Sequence, residues 1–277
     1  MAGHQSLVVG WLQAESTWQQ QFHGWDFSQL TTNGRILFNM SEEQLGWDYT
    51  NIICQTVEKL ADSSDDIYLL DLGTGGGEYL DTILSKLSTT RKKLVIYATE
   101  SYQPNFLLAK ERLMSHGVIV IHTNADSLDS LLPFSDDEIK FDLIISRHTC
   151  YNIREVERLL KDGSGMFITQ QVDGTSGQDL IELFDHQPKW PFFNLDYACQ
   201  TLKSQAQRMK LIRAEESETK LVFKDINALI IYLHAVPWMV EDFSVLKYQH
   251  VLLKLYHSRQ QALEFNSKYM LLQAIRE

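Results

Sequence analysis

The sequence predicts an α/β protein built on a parallel sheet with helices on both faces. Three observations predict it. Five short apolar runs alternate with stretches whose apolar residues recur at spacings of three and four. The first run breaks into a glycine loop, Asp71-Leu-Gly-Thr-Gly-Gly-Gly77. Asp71, Glu100, Asp126 and His148 fall at the carboxyl ends of these runs. That is the end at which open α/β sheets bind ligands.

The elements follow in order. Tyr68–Asp71 is the first strand, and the helix after its loop carries Leu80, Ile83, Leu84 and Leu87 on one face. A strand, a glycine turn and a helix bring backbone close to a nucleotide-like ligand. Leu94–Glu100 is the second strand. The Glu100 carboxylate can accept hydrogen bonds from both hydroxyls of a ribose, or stand as a solvated strand-end acid. Pro104 suits the first turn of the next helix, Phe106, Ala109 and Leu113 face inward, and His116-Gly117 closes it. Val118–His122 is the third strand, followed by Asn124-Ala-Asp-Ser127 and a loop through Glu138. Phe141–His148 is the fourth. Asn152 and Glu155 make a capping-box-like start to a helix with Ile153, Val156 and Leu160 as its apolar stripe. Leu160-Lys-Asp-Gly-Ser-Gly165 turns into the fifth strand, Met166–Val172.

The loop spacing selects the ligand. A dinucleotide fingerprint wants glycine at the first, third and sixth positions. Counting from Gly73, the sixth position is Glu78, a carboxylate facing where a pyrophosphate would lie. Acids at the strand end and the helix start suit a ligand with positive groups and no phosphate, such as S-adenosylmethionine. Here the chain resembles the class I S-adenosylmethionine-dependent methyltransferases, whose first motif has the form Asp-x-Gly-x-Gly-x-Gly. Phe141-Asp-Leu-Ile-Ile145 is similar to the family's fourth strand. Leu160-Lys-Asp-Gly163 is similar to its Leu-Lys-Pro-Gly turn, with Asp162 where the family usually has proline. The resemblance covers roughly residues 65–175 firmly and the rest loosely.

The resemblance implies a Rossmann-like, seven-stranded, mostly parallel sheet with helical caps, whose last strand, Lys268–Ile275, runs antiparallel. It implies S-adenosylmethionine as cofactor, held by Asp71, Gly73, Thr74, Gly75, Gly77, Glu100 and Ser101. Asp126 would contact the adenine amino group, with Asp129 as an alternative and Ser127 and Ser146 alongside. Asp126 could instead cap a helical turn. Thr169-Gln-Gln-Val172 together with Tyr232-x-His234-x-x-Pro-Trp238 resembles a bacterial subgroup of these enzymes without a settled substrate.

Four segments are expected: an N-terminal helical cap (1–55), the cofactor-binding core (56–224), a helical lid (225–265) and a final core strand (266–277). Met209–Glu216 and Thr219–Phe223 read as strands, and Ile226–Val236 and Val245–Leu263 as helices. The N-terminal segment is rich in aromatics, and Trp25, Trp47 or Tyr49 is expected to close the pocket. Arg147, Tyr151, Gln171, His234 and Trp238 are candidates for holding the acceptor. Arg147 can pair with an anionic acceptor or with Glu155. Gln170 and Gln171 point to opposite faces of their strand. Methyl transfer from a sulfonium chiefly needs alignment and exclusion of water. His148 is the titratable group best placed to act as a base or to orient the acceptor; the alternative is a histidine that only bonds the adjoining loop.

Charge and composition bound the partners. The chain has 277 residues and a formal net charge of −11, with Arg91-Lys-Lys93 as its one basic cluster. That argues against gripping a nucleic-acid backbone and for a small-molecule acceptor. Cys54, Cys150 and Cys199 form neither a disulfide framework nor a metal pattern and suit a reducing cytoplasm. No metal, membrane span or signal peptide is expected, and the protein should be a monomer or homodimer. The fourth strand does not end in Asn/Asp-Pro-Pro-Tyr/Phe, and Pro-Cys is absent. Those absences disfavour amino methylation of adenine or glutamine and a cytosine-C5 thiolate mechanism. The alternatives are an rRNA or tRNA methyltransferase with a local basic groove and a non-catalytic S-adenosylmethionine-binding protein. An NAD-dependent oxidoreductase is disfavoured by the glycine spacing.

Overall fold

A computed structural model describes residues 2–20, 30, 36–38, 45–62, 66–87, 94–123, 139–258 and 262–277. Trp25, Asp126, Ser127 and Asp129 lie outside the described residues. The strands are β1 (Ile36–Phe38), β2 (Ile67–Leu72), β3 (Leu94–Glu100), β4 (Ile119–His122), β5 (Leu143–Arg147), β6 (Met166–Val172), β7 (Met209–Phe223) and β8 (Leu263–Arg276). The helices are α1 (Ala2–Gln20), α2 (Tyr49–Ala61), α3 (Glu78–Lys86), α4 (Gln103–Leu113), α5 (Ile153–Leu159), α6 (Gln178–Leu183), α7 (Leu195–Gln205), α8 (Ile226–Ala235) and α9 (Gln249–His257).

The sheet order is β1-β7-β8-β6-β5-β2-β3-β4. β2 pairs in parallel with β3 on one side and β5 on the other, and β3–β4 and β5–β6 are parallel too. β8 runs antiparallel to β6, from Val172↔Tyr269 to Met166↔Ile275. The direction of winding therefore reverses at β2, so the crevice beyond its carboxyl end is the topological switch point. The seven expected strands are present. An eighth, the three-residue β1, pairs antiparallel with the end of β7, Ile36↔Phe223.

Contacts divide the chain into two compact units. One comprises Gly46–Asp173, Phe193–Ser217 and Tyr269–Glu277; the other comprises Met1–Leu45, Gly174–Phe192 and Glu218–Lys268. In the first, β2 is buried along almost its whole length, as a central parallel strand must be. Leu70, Leu72, Ile144 and Phe167 of the sheet pack with Ile153, Val156 and Leu159 of α5 and Ala198 and Leu202 of α7. Side-chain caps start these helices: Asp48 accepts from Asn51 N at 2.7 Å, Asn152 from Arg154 N at 3.0 Å and Asn194 from Tyr197 N at 2.9 Å. In the second unit α8 is apolar on nearly every side and is buried on nearly every side. It packs in a cluster with Trp11, Phe184, Phe223, Phe243 and Phe265.

Three expectations need correcting. The helix expected over Val245–Leu263 is only Gln249–His257, and Leu263 instead opens β8. Leu263, Phe265 and Ser267 are buried while Glu264 and Asn266 are exposed. That is a period of two, a strand signal that the longer helical reading overrode. The segments read as separate strands, Met209–Glu216 and Thr219–Phe223, are one continuous strand, β7, and helices α6 and α7 lie in stretches for which no element was expected. The signal for α7 was present in the Asn194 cap and the spacing of Ala198 and Leu202. No described helix is long and apolar enough to cross a membrane.

Candidate functional site

The glycine loop leaves β2 at the switch point. Gly73, Gly75 and Gly77 all have positive φ, at 67°, 62° and 82°, a region where a β-carbon is strained. Close approach adds a second reason at two of them. A Cβ on Gly73 would strike the Thr149 side chain, and one on Gly77 would lie 3.0 Å from Leu113 of α4. A Cβ on Gly75 would meet nothing within 4 Å, so the middle of the loop borders open space.

The loop is tied to β3 by side chains as well as backbone. Gly73 N donates to Thr99 Oγ1 at 3.1 Å and Thr74 N to Thr99 O at 2.9 Å. Gly75 N donates to Glu100 Oε2 at 2.9 Å, and Tyr102 N to Glu100 Oε1 at 2.7 Å. With the Ser101 N–H as a further backbone partner, the Glu100 carboxylate is held by the loop and by the start of α4 and keeps acceptor capacity for a ligand hydroxyl. Thr99 was not foreseen, although β2–β3 pairing places it beside the loop.

Two acids dominate the electrostatics. Asp71 and Glu100 are 7% and 4% exposed. Burial pushes the Asp71 carboxyl up to about 7, with Glu100 adding to the rise and the Thr74 hydroxyl and Arg147 opposing it. Burial also raises Glu100, against the backbone N–H groups of Tyr102, Gly75 and Ser101. Buried Thr74 Oγ1 falls short of hydrogen-bond geometry to any described group. Glu78 pairs with Arg112, which also donates to Gly76 O. Its charge is thus partly balanced, and the negative character of the site rests on Asp71 and Glu100. Ser101 is exposed, and its carbonyl lies 2.9 Å from His122 Nε2.

The end of β5 forms the neighbouring edge. Ser146 is fully buried, and its hydroxyl accepts from Gln171 Nε2 at 3.3 Å. Gln171 also donates to Thr169 Oγ1 at 2.8 Å. The Arg147 guanidinium lies 4.1 Å from the centre of the Tyr79 ring, a cation–π contact. Glu155 is bridged by Arg158 at 2.7 Å. Tyr49 is fully buried, donating to Ser146 O at 3.0 Å or to Ile168 O at 3.3 Å, and burial raises its phenol well above the usual range. Tyr151 packs edge-on against Phe167, and burial raises its hydroxyl too.

His148 follows β5 with φ 55°, an uncommon conformation for a residue with a side chain. Its N–H donates to Gln170 O at 3.0 Å, and its ring stacks on Tyr269 at 5.8 Å. Nε2 lies 3.4 Å from Gln170 Nε2. Trp47 Nε1 donates to Gln170 Oε1 at 2.8 Å. Burial holds the imidazole well below its ordinary range, and Arg147 lowers it further.

The core unit thus gathers Tyr49, Asp71, the loop glycines, Thr74, Glu100, Ser101, Ser146, Arg147, His148, Tyr151 and Gln171. His234 and Trp238 belong to the other unit. There His234 Nε2 lies 3.1 Å from Glu15 Oε1, which also accepts from Val245 N at 3.0 Å, and Trp238 is partly exposed.

No family model matches the chain, and no curated protein matches it. Solved structures do. The YcgJ protein of Bacillus subtilis is 17% identical with a TM-score of 0.53, over 83% of this chain and 98% of that one. A candidate methyltransferase of Bacillus halodurans C-125 is 14% identical with a TM-score of 0.52, over 80% and 97%. The chain shares the fold of these two structures. A looser match, TM-score 0.44 and 15% identity over 80% and 91%, is an S-adenosylmethionine-dependent methyltransferase of Geobacter sulfurreducens solved with S-adenosyl-L-homocysteine.

Proposed function

We propose that this protein is an S-adenosylmethionine-dependent methyltransferase that transfers a methyl group to oxygen or nitrogen of a small molecule. One observation carries the reading. At the switch point the Glu100 carboxylate grips the Gly75 N–H, beside the buried Asp71 carboxyl. A pyrophosphate would be repelled there, whereas a ligand with a ribose and positive groups fits.

The residues present fit that cofactor. The backbone at Gly75 borders space that a side chain would fill. The remaining acceptor capacity of Glu100 suits a ribose hydroxyl, and the Asp71 carboxylate, beside the Thr74 hydroxyl, suits an ammonium group. Asp126 and Ser127 are proposed to meet the adenine, and Ser146 supports the strand end beneath the site. The bound cofactor supplies an electrophilic methyl group on a sulfonium. The protein's part is to orient the acceptor and exclude water. Arg147, Tyr151, Gln171, His148 and Tyr49 of the core unit are proposed for that part. The net charge of −11 favours a small acceptor over a nucleic acid.

Calorimetry of the purified protein with S-adenosylmethionine, S-adenosylhomocysteine and NAD tests the reading. Micromolar binding of both sulfur nucleosides and none of NAD is expected. Binding of NAD alone would overturn it.

A further inference from the structure

The side chains behind His148 fix which of its nitrogens carries the proton. The Trp47 indole N–H can only donate, so Gln170 must turn its amide oxygen toward it, and does so at 2.8 Å. The Gln170 amide nitrogen is then turned toward His148 Nε2, 3.4 Å away. An amide nitrogen donates and does not accept. Nε2 must therefore be the bare, accepting nitrogen of the ring. A neutral imidazole with a bare Nε2 carries its proton on Nδ1. Among the described residues no hydrogen bond engages Nδ1. Trp47 is 5% exposed and Gln170 1% exposed, so neither amide edge exchanges its partner for water at low cost. Stacking on Tyr269 holds the ring against rotation, and the bond from His148 N to Gln170 O fixes the backbone that carries it.

We propose that Trp47 and Gln170 are positioning residues that lock His148 as the neutral Nδ1–H tautomer, so that His148 meets the methyl acceptor as a hydrogen-bond donor and not as a general base. The role toward the acceptor rests on the methyltransferase reading; the tautomer does not. With the Nε2 lone pair engaged, no proton leaves the acceptor for His148. The acceptor class follows. It arrives already nucleophilic, as a neutral amine or an ionised acidic hydroxyl, and carries an oxygen that receives the Nδ1 proton as a hydrogen bond. Among the described residues, Arg147 is the charged group that acts on the imidazole, and it disfavours a second proton.

The test is nuclear magnetic resonance on the full chain labelled with nitrogen-15 at histidine, using long-range proton–nitrogen correlations. His148→Gln assigns the signal. The wild type is expected to show a protonated Nδ1, a bare Nε2 and no titration between about pH 6 and 8, where a free imidazole changes charge. Gln170→Glu is expected to invert the tautomer, because a carboxylate accepts from both Trp47 and His148, and to raise the imidazole's titration. Trp47→Phe, which frees the Gln170 amide to turn over, is expected to give a mixture of tautomers. A proton on Nε2 in the wild type, an imidazolium near neutral pH, or an unchanged tautomer in Gln170→Glu would overturn the proposal. None of these readings needs cofactor. Failure to bind S-adenosylmethionine would sink the function and leave the tautomer standing.

Discussion

Glu100, the last residue of β3, accepts a hydrogen bond from the Gly75 N–H at 2.9 Å, in the middle of the loop that follows β2. One carboxylate thereby shapes the loop and remains open to a ligand. Glu100→Ala should lose both roles. Cofactor affinity is expected to fall by about 1–3 kcal/mol, as for lost charge-assisted hydrogen bonds, with a similar loss of stability from the two freed N–H groups. Glu100→Gln keeps one acceptor oxygen and should fall between. Calorimetry and urea unfolding measure the two effects, and unchanged affinity in Glu100→Ala would remove Glu100 from the site.

Much of this arrangement was legible in the sequence, for local reasons. β2, the glycine loop and Glu100 follow from hydrophobic runs and from glycines whose positive φ leaves few alternatives. The pairing of strands follows from their alternation with helices. What was not legible depends on distant partners. Trp47 and Gln170 are 123 positions apart, and no local pattern joins them. The same holds for Glu15 and His234, 219 positions apart. The expected helix through Leu263 failed differently, since a period of two there was present and was outweighed by the preceding apolar stretch.

Gly75 and Gly77 should separate binding from stability. Both have positive φ, so alanine at either costs about 1 kcal/mol of backbone strain. At Gly77 the new methyl would also press on Leu113 at 3.0 Å. Gly77→Ala is therefore expected to lose about 1–3 kcal/mol further, measured as a lower urea midpoint. At Gly75 the methyl enters open space, so stability should fall by the strain alone while cofactor affinity drops at least tenfold. Equal affinities in the two variants would mean that the space beside Gly75 is not where the cofactor lies.

Asp142, the acid of the Phe141-Asp142 pair, is a structural residue. Its carboxylate accepts from Tyr68 N at 2.8 Å and from Lys161 Nζ at 2.7 Å and is 4% exposed. It thus ties the starts of β2 and β5 to the turn before β6. Asp142→Ala strands a buried N–H and a lysine and is expected to cost about 2–4 kcal/mol. Cofactor affinity per folded molecule should not change. A large loss of affinity without a loss of stability would contradict this assignment.

Asp71 should make both stability and binding depend on pH. Its folded carboxyl titrates at about 7, above the ordinary 3.8. Between those values the folded state holds a proton that the unfolded chain has lost. Stability therefore falls as pH rises through that window, by up to about 4 kcal/mol once the group is ionised. Asp71→Asn removes the ionisation, so the variant should gain on the wild type as pH rises from about 4 and keep that advantage above about 7. Binding of a ligand ammonium requires the ionised form. Affinity for S-adenosylmethionine is then expected to fall by up to tenfold per pH unit below about 7, with proton release on binding near neutrality. Calorimetry in buffers of different ionisation enthalpy reads that proton directly. A flat affinity from about pH 5.5 to 8, with no proton released, would mean that Asp71 does not pair with the cofactor's positive group.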